Sequence, residues 1–149
     1  MKTFKSTLKE INAFYKTEKE IHNVKISSSS VVNEFVRKIY PVEITYREAM
    51  IVLYLNNSNR TVSYSIISIG GLVGTIADVR IILKDALLSK ATAMILIHNH
   101  PSSTLIASSA DKAITKKVKD AGSLMDIKLL DHLIITEESF YSFADNGDL

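Results

Sequence analysis

An apolar run, Ala93-Met94-Ile95-Leu96-Ile97, stops at His98-Asn99-His100-Pro101. A run this short and continuous, bounded by turn residues, reads as a buried strand over residues 92–97. Successive side chains of a strand point to opposite faces, so His98 and His100 share one side and Asn99 faces away. Pro101 cannot donate to a sheet ladder, which ends the strand there with its tip open toward a cleft. Any fold of this chain must therefore bury a strand and leave two imidazoles converging at its end.

The remaining elements are read from pattern. A serine run, Ser27 to Ser30, caps a helix whose Val31, Val32, Phe35, Val36 and Ile39 share one face and which Pro41 ends. Residues 50–55 read as a buried strand, Asn56-Asn57-Ser58-Asn59 as a turn, and residues 62–69 as the second strand of a hairpin. Gly70-Gly71-Leu72-Val73-Gly74-Thr75 suggests close backbone approach. It is followed by a helix over residues 76–88 with Val79, Ile82, Leu83 and Leu87 on its buried face. A helix over residues 108–121 places Ala110, Ile114, Val118 and Ala121 on one face, with Gly122 as its C-terminal stop. Strands near 127–130, 132–136 and 140–143 complete the chain. Residues 1–25, with six lysines and three glutamates around Leu8, Ile11, Phe14 and Tyr15, read as an amphipathic helix or an arm.

Composition narrows the chemistry. The 149 residues fit one domain able to bury roughly two thirds of its unfolded surface. With 46% hydrophobic and 23% charged residues and two prolines, the chain is of ordinary globular type. A net charge of +2 is too small to argue for nucleic acid by itself. The absence of cysteine excludes disulfides, a thiol nucleophile and thiolate metal sites, so any metal must use nitrogen and oxygen. The polar start lacks the apolar core of a signal peptide, and no apolar stretch approaches the ~20 residues of a membrane span. A cytoplasmic, non-membrane protein is the expectation.

The two histidines need a third ligand, and Asp111 is the candidate. It falls in the first turn of the expected helix, where the positive end of the helix dipole favours a carboxylate. Two imidazoles and a carboxylate leave one tetrahedral position for water, the pattern of a catalytic zinc site. Zinc there lowers the pKa of that water toward ~7. On spacing alone the His-x-His pair can be incidental. Ser108-Ser109-Ala110-Asp111 also fits a helix cap with Ser108 at the N-cap and Asp111 three residues on, and the two readings are compatible.

His98-x-His100-Pro101, six residues, then Ser108-x-x-Asp111 resembles the zinc motif of the JAB (JAMM, MPN+) metalloprotease superfamily. His-Asn-His-Pro-Ser, together with Leu129-Leu130-Asp131-His132-Leu133-Ile134-Ile135, narrows the resemblance to its RadC-like branch, often described as DNA repair proteins. Gly70-Gly71-Leu72-x-Gly74-Thr75 and Phe140-Tyr141-Ser142-Phe143-Ala144 look like that branch as well. The resemblance runs from Ile26 to the C-terminus, giving an N-terminal segment 1–25 and a RadC-like JAB domain over 26–149.

This resemblance implies an α/β (α+β) fold of the JAB/MPN type, a curved central mixed sheet flanked by helices, laid out like the cytidine deaminases. The missing His-x-Glu and Pro-Cys-x-x-Cys signature argues against a deaminase itself. It also implies zinc on His98, His100 and Asp111, with Glu48 as general base and Ser108 as oxyanion donor. Without the resemblance, Glu48 reads as an exposed glutamate at a strand entrance; Glu43 is its nearest rival. The chain departs from the branch between Pro101 and Ser108, where Ser103 stands for the usual Gly, Ala107 for the usual Pro, and Leu105-Ile106 makes the loop more apolar. Residues 1–25 are too short for the helix-hairpin-helix segment of many relatives, which weighs against a direct DNA role. The contiguous His98-Asn99-His100 is not an HNH nuclease signal.

Asp131-His132 reads either as a pair steadying a zinc ligand or as strand-edge packing. His22 reads as a surface residue, and Lys112, Lys116, Lys117 and Lys119 as a solvated helix face. Three functions follow. The first is a zinc metallohydrolase acting on a peptide or isopeptide bond of a protein substrate. The second is a non-catalytic metal-binding module in DNA repair or mobile-element biology, binding nucleic acid directly. The third is an interaction domain that forms a homo-oligomer through Leu105-Ile106 or the N-terminal arm.

Overall fold

The computed structural model describes residues 23–70 and 77–149. The expectations for residues 1–22, His22 included, and for the glycine-rich segment 71–76 lie outside the described residues. Ser28 caps the first helix, α1 (Ser29–Arg37), by accepting from the Val31 N–H. The helix stops at Lys38, three residues short of Pro41. Its apolar stripe buries Val32, Phe35 and Val36. Strands β1 (Ala49–Leu55) and β2 (Thr61–Ile69) form the expected antiparallel hairpin. Helix α2 (Val79–Leu88) starts at the Asp78 cap, later than residue 76, and buries Val79, Ile82 and Ala86. Leu87, expected on that buried face, is 52% exposed.

Strand β3 (Ala93–Asn99) is followed by helix α3 (Ser109–Leu124), strand β4 (Lys128–Ile135) and strand β5 (Phe140–Ser142). The five strands form one mixed sheet in the order β2-β1-β3-β4-β5, in which only β3 and β4 are parallel. Strand β3 is therefore central and buried along its whole length, as its unbroken apolar run requires. Strand alternation sorts its side chains between two cores. Ile95 and Ile97 pack with α1 residues, whereas Met94 and Leu96 pack with residues of α2 and α3. This is the α/β layout expected of a JAB/MPN-type fold, with helices on both sides of a mixed sheet.

Two expectations near the C-terminal half fail for local reasons. Helix α3 does not stop at Gly122 but runs through it, and the left-handed residue after the helix is Asp126, at φ 55°. A Cβ on Gly122 would lie 2.5 Å from the Ile127 carbonyl oxygen and 2.8 Å from Met94 Cε, so the glycine permits close packing. The buried stripe of α3 is Thr115, Val118 and Gly122, while Ala110 is exposed. The strands expected over 127–130 and 132–136 are one strand, β4, broken in pattern by a bulge. Met94 pairs with Leu129 and Ile95 with Asp131, leaving Leu130 as the extra residue. Past the bulge the faces exchange, and His132 turns to the side occupied by α3.

Candidate metal centre

By strand alternation His98 falls on the α3 side of the sheet, where it is 2% exposed. His100, just beyond β3, is held by its N–H donating to the Ile135 carbonyl at 3.0 Å. Pro101 then turns the chain, and the Ser103 N–H donates back to the His100 carbonyl at 3.0 Å. Ser103 has φ 62°, the left-handed conformation that glycine adopts most easily. That kink brings the Thr104 carbonyl within 2.7 Å of His100 Nδ1. A carbonyl can only accept, so His100 carries a proton on Nδ1, and Nε2 is its ligating nitrogen.

Asp111 enters from the first turn of α3. The cap expected for this tetrapeptide is present: Ser108 Oγ accepts from the Asp111 N–H at 3.1 Å, and Asp111 Oδ2 accepts from the Ser108 N–H at 2.7 Å. The cap also aims the carboxylate at both imidazoles. Asp111 Oδ1 lies 3.1 Å from His98 Nε2, Oδ2 lies 3.5 Å from His100 Nε2, and the two Nε2 atoms are 2.9 Å apart. Ligands held ~2.0–2.1 Å from a tetrahedral zinc stand about 3.3 Å from one another. The three side chains therefore fit such an ion with shifts of a few tenths of an ångström, and they form a group able to hold a metal.

The electrostatics are those of a charge-assisted cluster. The hydrogen bond to Asp111 raises the His100 pKa against the opposing effect of burial, with the Thr104 carbonyl and the charges of Asp111 and Glu48 adding to it. Burial pushes the Asp111 carboxyl up, but the hydrogen bonds it makes with the His100 and His98 rings when these are protonated on both nitrogens outweigh burial and hold the group well below the usual carboxylate range.

Glu48 lies outside the three-residue group but close enough for its charge to act on His100. It directly precedes β1 and is half-buried, whereas Glu43 is exposed. What fixes the Glu48 segment is a residue the sequence placed only as facing away. Asn99, fully buried on the α1 side, donates from Nδ2 to the carbonyls of Ile44 at 2.7 Å and Arg47 at 2.9 Å. Its Oδ1 accepts from the Ala49 N–H at 2.7 Å. Tyr40 Oη shares one proton between Asn99 Oδ1 at 2.8 Å and the Ala49 carbonyl at 2.6 Å, and burial pushes its phenol pKa well up. One strand thus presents two histidines on one face and, between them, an amide that grips the chain entering at Glu48. A lone asparagine in an apolar strand was the available signal.

The pair Asp131-His132 splits. Asp131 turns away from the histidines and accepts from Ser142 Oγ at 2.6 Å, the Ala144 N–H at 3.0 Å and the His132 N–H at 2.7 Å. His132 is fully buried, with Nε2 2.8 Å from His98 Nδ1. Lys112, Lys116, Lys117 and Lys119 are exposed on α3. Leu105 is half-buried and Ile106 is 76% exposed. No helix among the described residues is long and apolar enough to cross a membrane.

The family profile described as RadC-like JAB domain matches residues 26–148. The chain is 57% identical over 96 residues to a UPF0758 protein of Flavobacterium johnsoniae, covering 64% of this chain and 42% of that protein. It is 34% identical over 143 residues to a UPF0758 protein of Chlorobaculum tepidum, covering 93% and 64%, respectively. A UPF0758 protein of Haemophilus influenzae is 43% identical over 100 residues, 67% of this chain and 45% of its own length. The chain spans between 42% and 64% of the length of these curated relatives.

Proposed function

The chain belongs to the RadC-like JAB domain family, and on that footing we propose that it is a zinc-dependent hydrolase of the JAMM type, cleaving a peptide or isopeptide bond in a protein substrate. The observation that carries the proposal is the convergence of His98, His100 and Asp111 at the open end of β3, with spacings that suit a tetrahedral ion. Zinc, when bound, acts as a Lewis acid that acidifies water at neutral pH.

The protein's own groups do the rest. His98 and His100 offer Nε2 and Asp111 offers Oδ1, while Oδ2 stays engaged by the Ser108 N–H. Glu48, whose charge reaches His100, is the proposed general base: it takes the proton from the attacking water and returns it to the departing amine. The Ser108 oxygen accepts from the Asp111 N–H, so its hydroxyl proton remains available to the oxyanion that develops on the scissile carbonyl. Such a donor acts only where charge builds up in the transition state.

The test incubates the zinc-loaded protein and its Glu48→Gln variant with a broad library of peptides and isopeptide-linked pairs. Cleavage by the wild type and not by the variant is expected. Zinc retained with no cleavage above the variant's level defeats the hydrolase and favours a metal-binding module. Binding to nucleic acid that weakens with salt would give that module its repair or mobile-element role.

A further inference from the structure

His98 also depends on a hydrogen-bonded chain that passes through three elements and returns to another ligand. Its Nδ1 lies 2.8 Å from His132 Nε2 on β4. The other nitrogen of His132, Nδ1, lies 2.6 Å from Thr115 Oγ1 on α3. Thr115 Oγ1 in turn lies 2.5 Å from the backbone carbonyl of Asp111, one helical turn earlier. Asp111 Oδ1 closes the ring at 3.1 Å from His98 Nε2.

The direction of every proton in this ring follows from its fixed end. The Asp111 carbonyl can only accept, so the single proton of the Thr115 hydroxyl points to it. Thr115 Oγ1 must then accept from His132, which puts the His132 ring proton on Nδ1. His132 is fully buried and its two ring nitrogens meet Thr115 and His98 rather than a carboxylate that would pair with a second proton, so its Nε2 is left with a lone pair. The 2.8 Å contact therefore has His98 donating from Nδ1. His98 is left with its Nε2 lone pair aimed at the Nε2 of His100, which the Thr104 carbonyl orients in the same sense. Two lone pairs 2.9 Å apart repel unless a cation lies between them.

We propose that Thr115 and His132 are positioning residues that fix the His98 tautomer, and thereby make Nε2 the nitrogen offered to the metal. The placement of His132 depends on the Leu130 bulge, since without the extra residue its ring would face α1. The ring of Phe143, stacked at 4.7 Å on His132, holds it in plane. Linking two ligands through one set of bonds means that the loss of the Thr115 hydroxyl is felt at His98 and at the Asp111 turn together. This inference rests on the metal-binding reading, but part of its test does not.

The experiment uses Thr115→Val, which keeps the shape and removes the hydroxyl, with Thr115→Ser as its rescue. His132→Leu is paired with His132→Gln, whose side-chain carbonyl can still accept from His98. Long-range 15N–1H correlation of the imidazoles in the metal-free protein is expected to show His98 and His132 both protonated on Nδ1, with that preference lost for His132 in Thr115→Val and restored in Thr115→Ser. Competition with a chromophoric chelator is expected to give zinc affinity 10–100-fold weaker, order of magnitude, for Thr115→Val and His132→Leu, and near wild type for the two conservative variants. The proposal is overturned if metal-free His98 carries its proton on Nε2, or if Thr115→Val binds zinc within about threefold of wild type with both tautomers unchanged. A wild type that binds no zinc defeats the metal reading instead, and the tautomers still decide this one.

Discussion

Replacing Asn99 with alanine separates the two jobs of the central strand. The side chain is fully buried and makes four hydrogen bonds. Its loss orphans the Ala49 N–H, which is buried, and the Ile44 and Arg47 carbonyls, which sit in a half-exposed loop that water can enter. An unsatisfied buried group costs about 1–3 kcal/mol, with the upper part of that range for the N–H and the lower for the carbonyls. The expected loss is about 4 kcal/mol, a large share of the ~5–15 kcal/mol that holds a domain together. Tyr40 keeps its bond to the Ala49 carbonyl, so the loop loosens without being released. Urea unfolding of wild type and Asn99→Ala measures the loss. Because the amide lies on the sheet face away from His98, zinc affinity should stay within about threefold, whereas cleavage should fall roughly 100-fold as Glu48 drifts from its post. A stability loss below about 1 kcal/mol, or full cleavage by the destabilised variant, refutes the reasoning.

Gly122→Ala should destabilise despite the better helix propensity of alanine. Propensity contributes about 1 kcal/mol, but the Ile127 carbonyl cannot yield as Met94 Cε can, and overpacking costs about 1–3 kcal/mol. A fall in Tm of a few degrees on thermal unfolding is expected, and a rise contradicts the close approach. Ser103→Gly should stabilise by about 0.5–1 kcal/mol, since it relieves a left-handed φ of 62°, and should leave zinc affinity unchanged. Asp131 has a pKa raised by burial despite its hydrogen bonds from Ser142, Ala144 and His132. A carboxyl raised in the folded state binds more protons there than in the unfolded chain, so stability should decline as pH rises from the ordinary carboxylate value through the raised one. Asp131→Asn should flatten that part of the profile in denaturant titrations across the acid range; an unchanged slope rules out Asp131 as its source.

Local pattern made some elements legible. The β1–β2 hairpin follows from two apolar runs around an asparagine turn, and the convergence of His98 with His100 follows from strand alternation. The double role of the Ser108–Asp111 tetrapeptide was also open to reading, because cap and ligand need the same residues. Other features depend on partners far along the chain. The contacts of Asn99 reach back 50 to 59 residues, and His132 meets His98 across 34. A lone asparagine in an apolar strand and the Asp131-His132 pair mark these residues out, but nothing near either one says which distant groups it meets. The bulge at Leu130 interrupts alternation, so β4 reads as two strands until its pairing with β3 is seen. Gly122 misleads because a glycine near a helix end is commonly a cap, and only the approach of Ile127 gives it another reason to be there. In the loop before Ser108, the serine standing for glycine keeps the backbone turn that glycine would favour, so the support of His100 survives the change.

The central claim is that one metal ion sits between His98, His100 and Asp111. Elemental analysis of the wild type and His100→Ala, each purified without chelator and dialysed alike, tests it most directly. One zinc per wild-type chain and little in the variant is the predicted result. Equal zinc in the two proteins, or none in either after reconstitution, would contradict it.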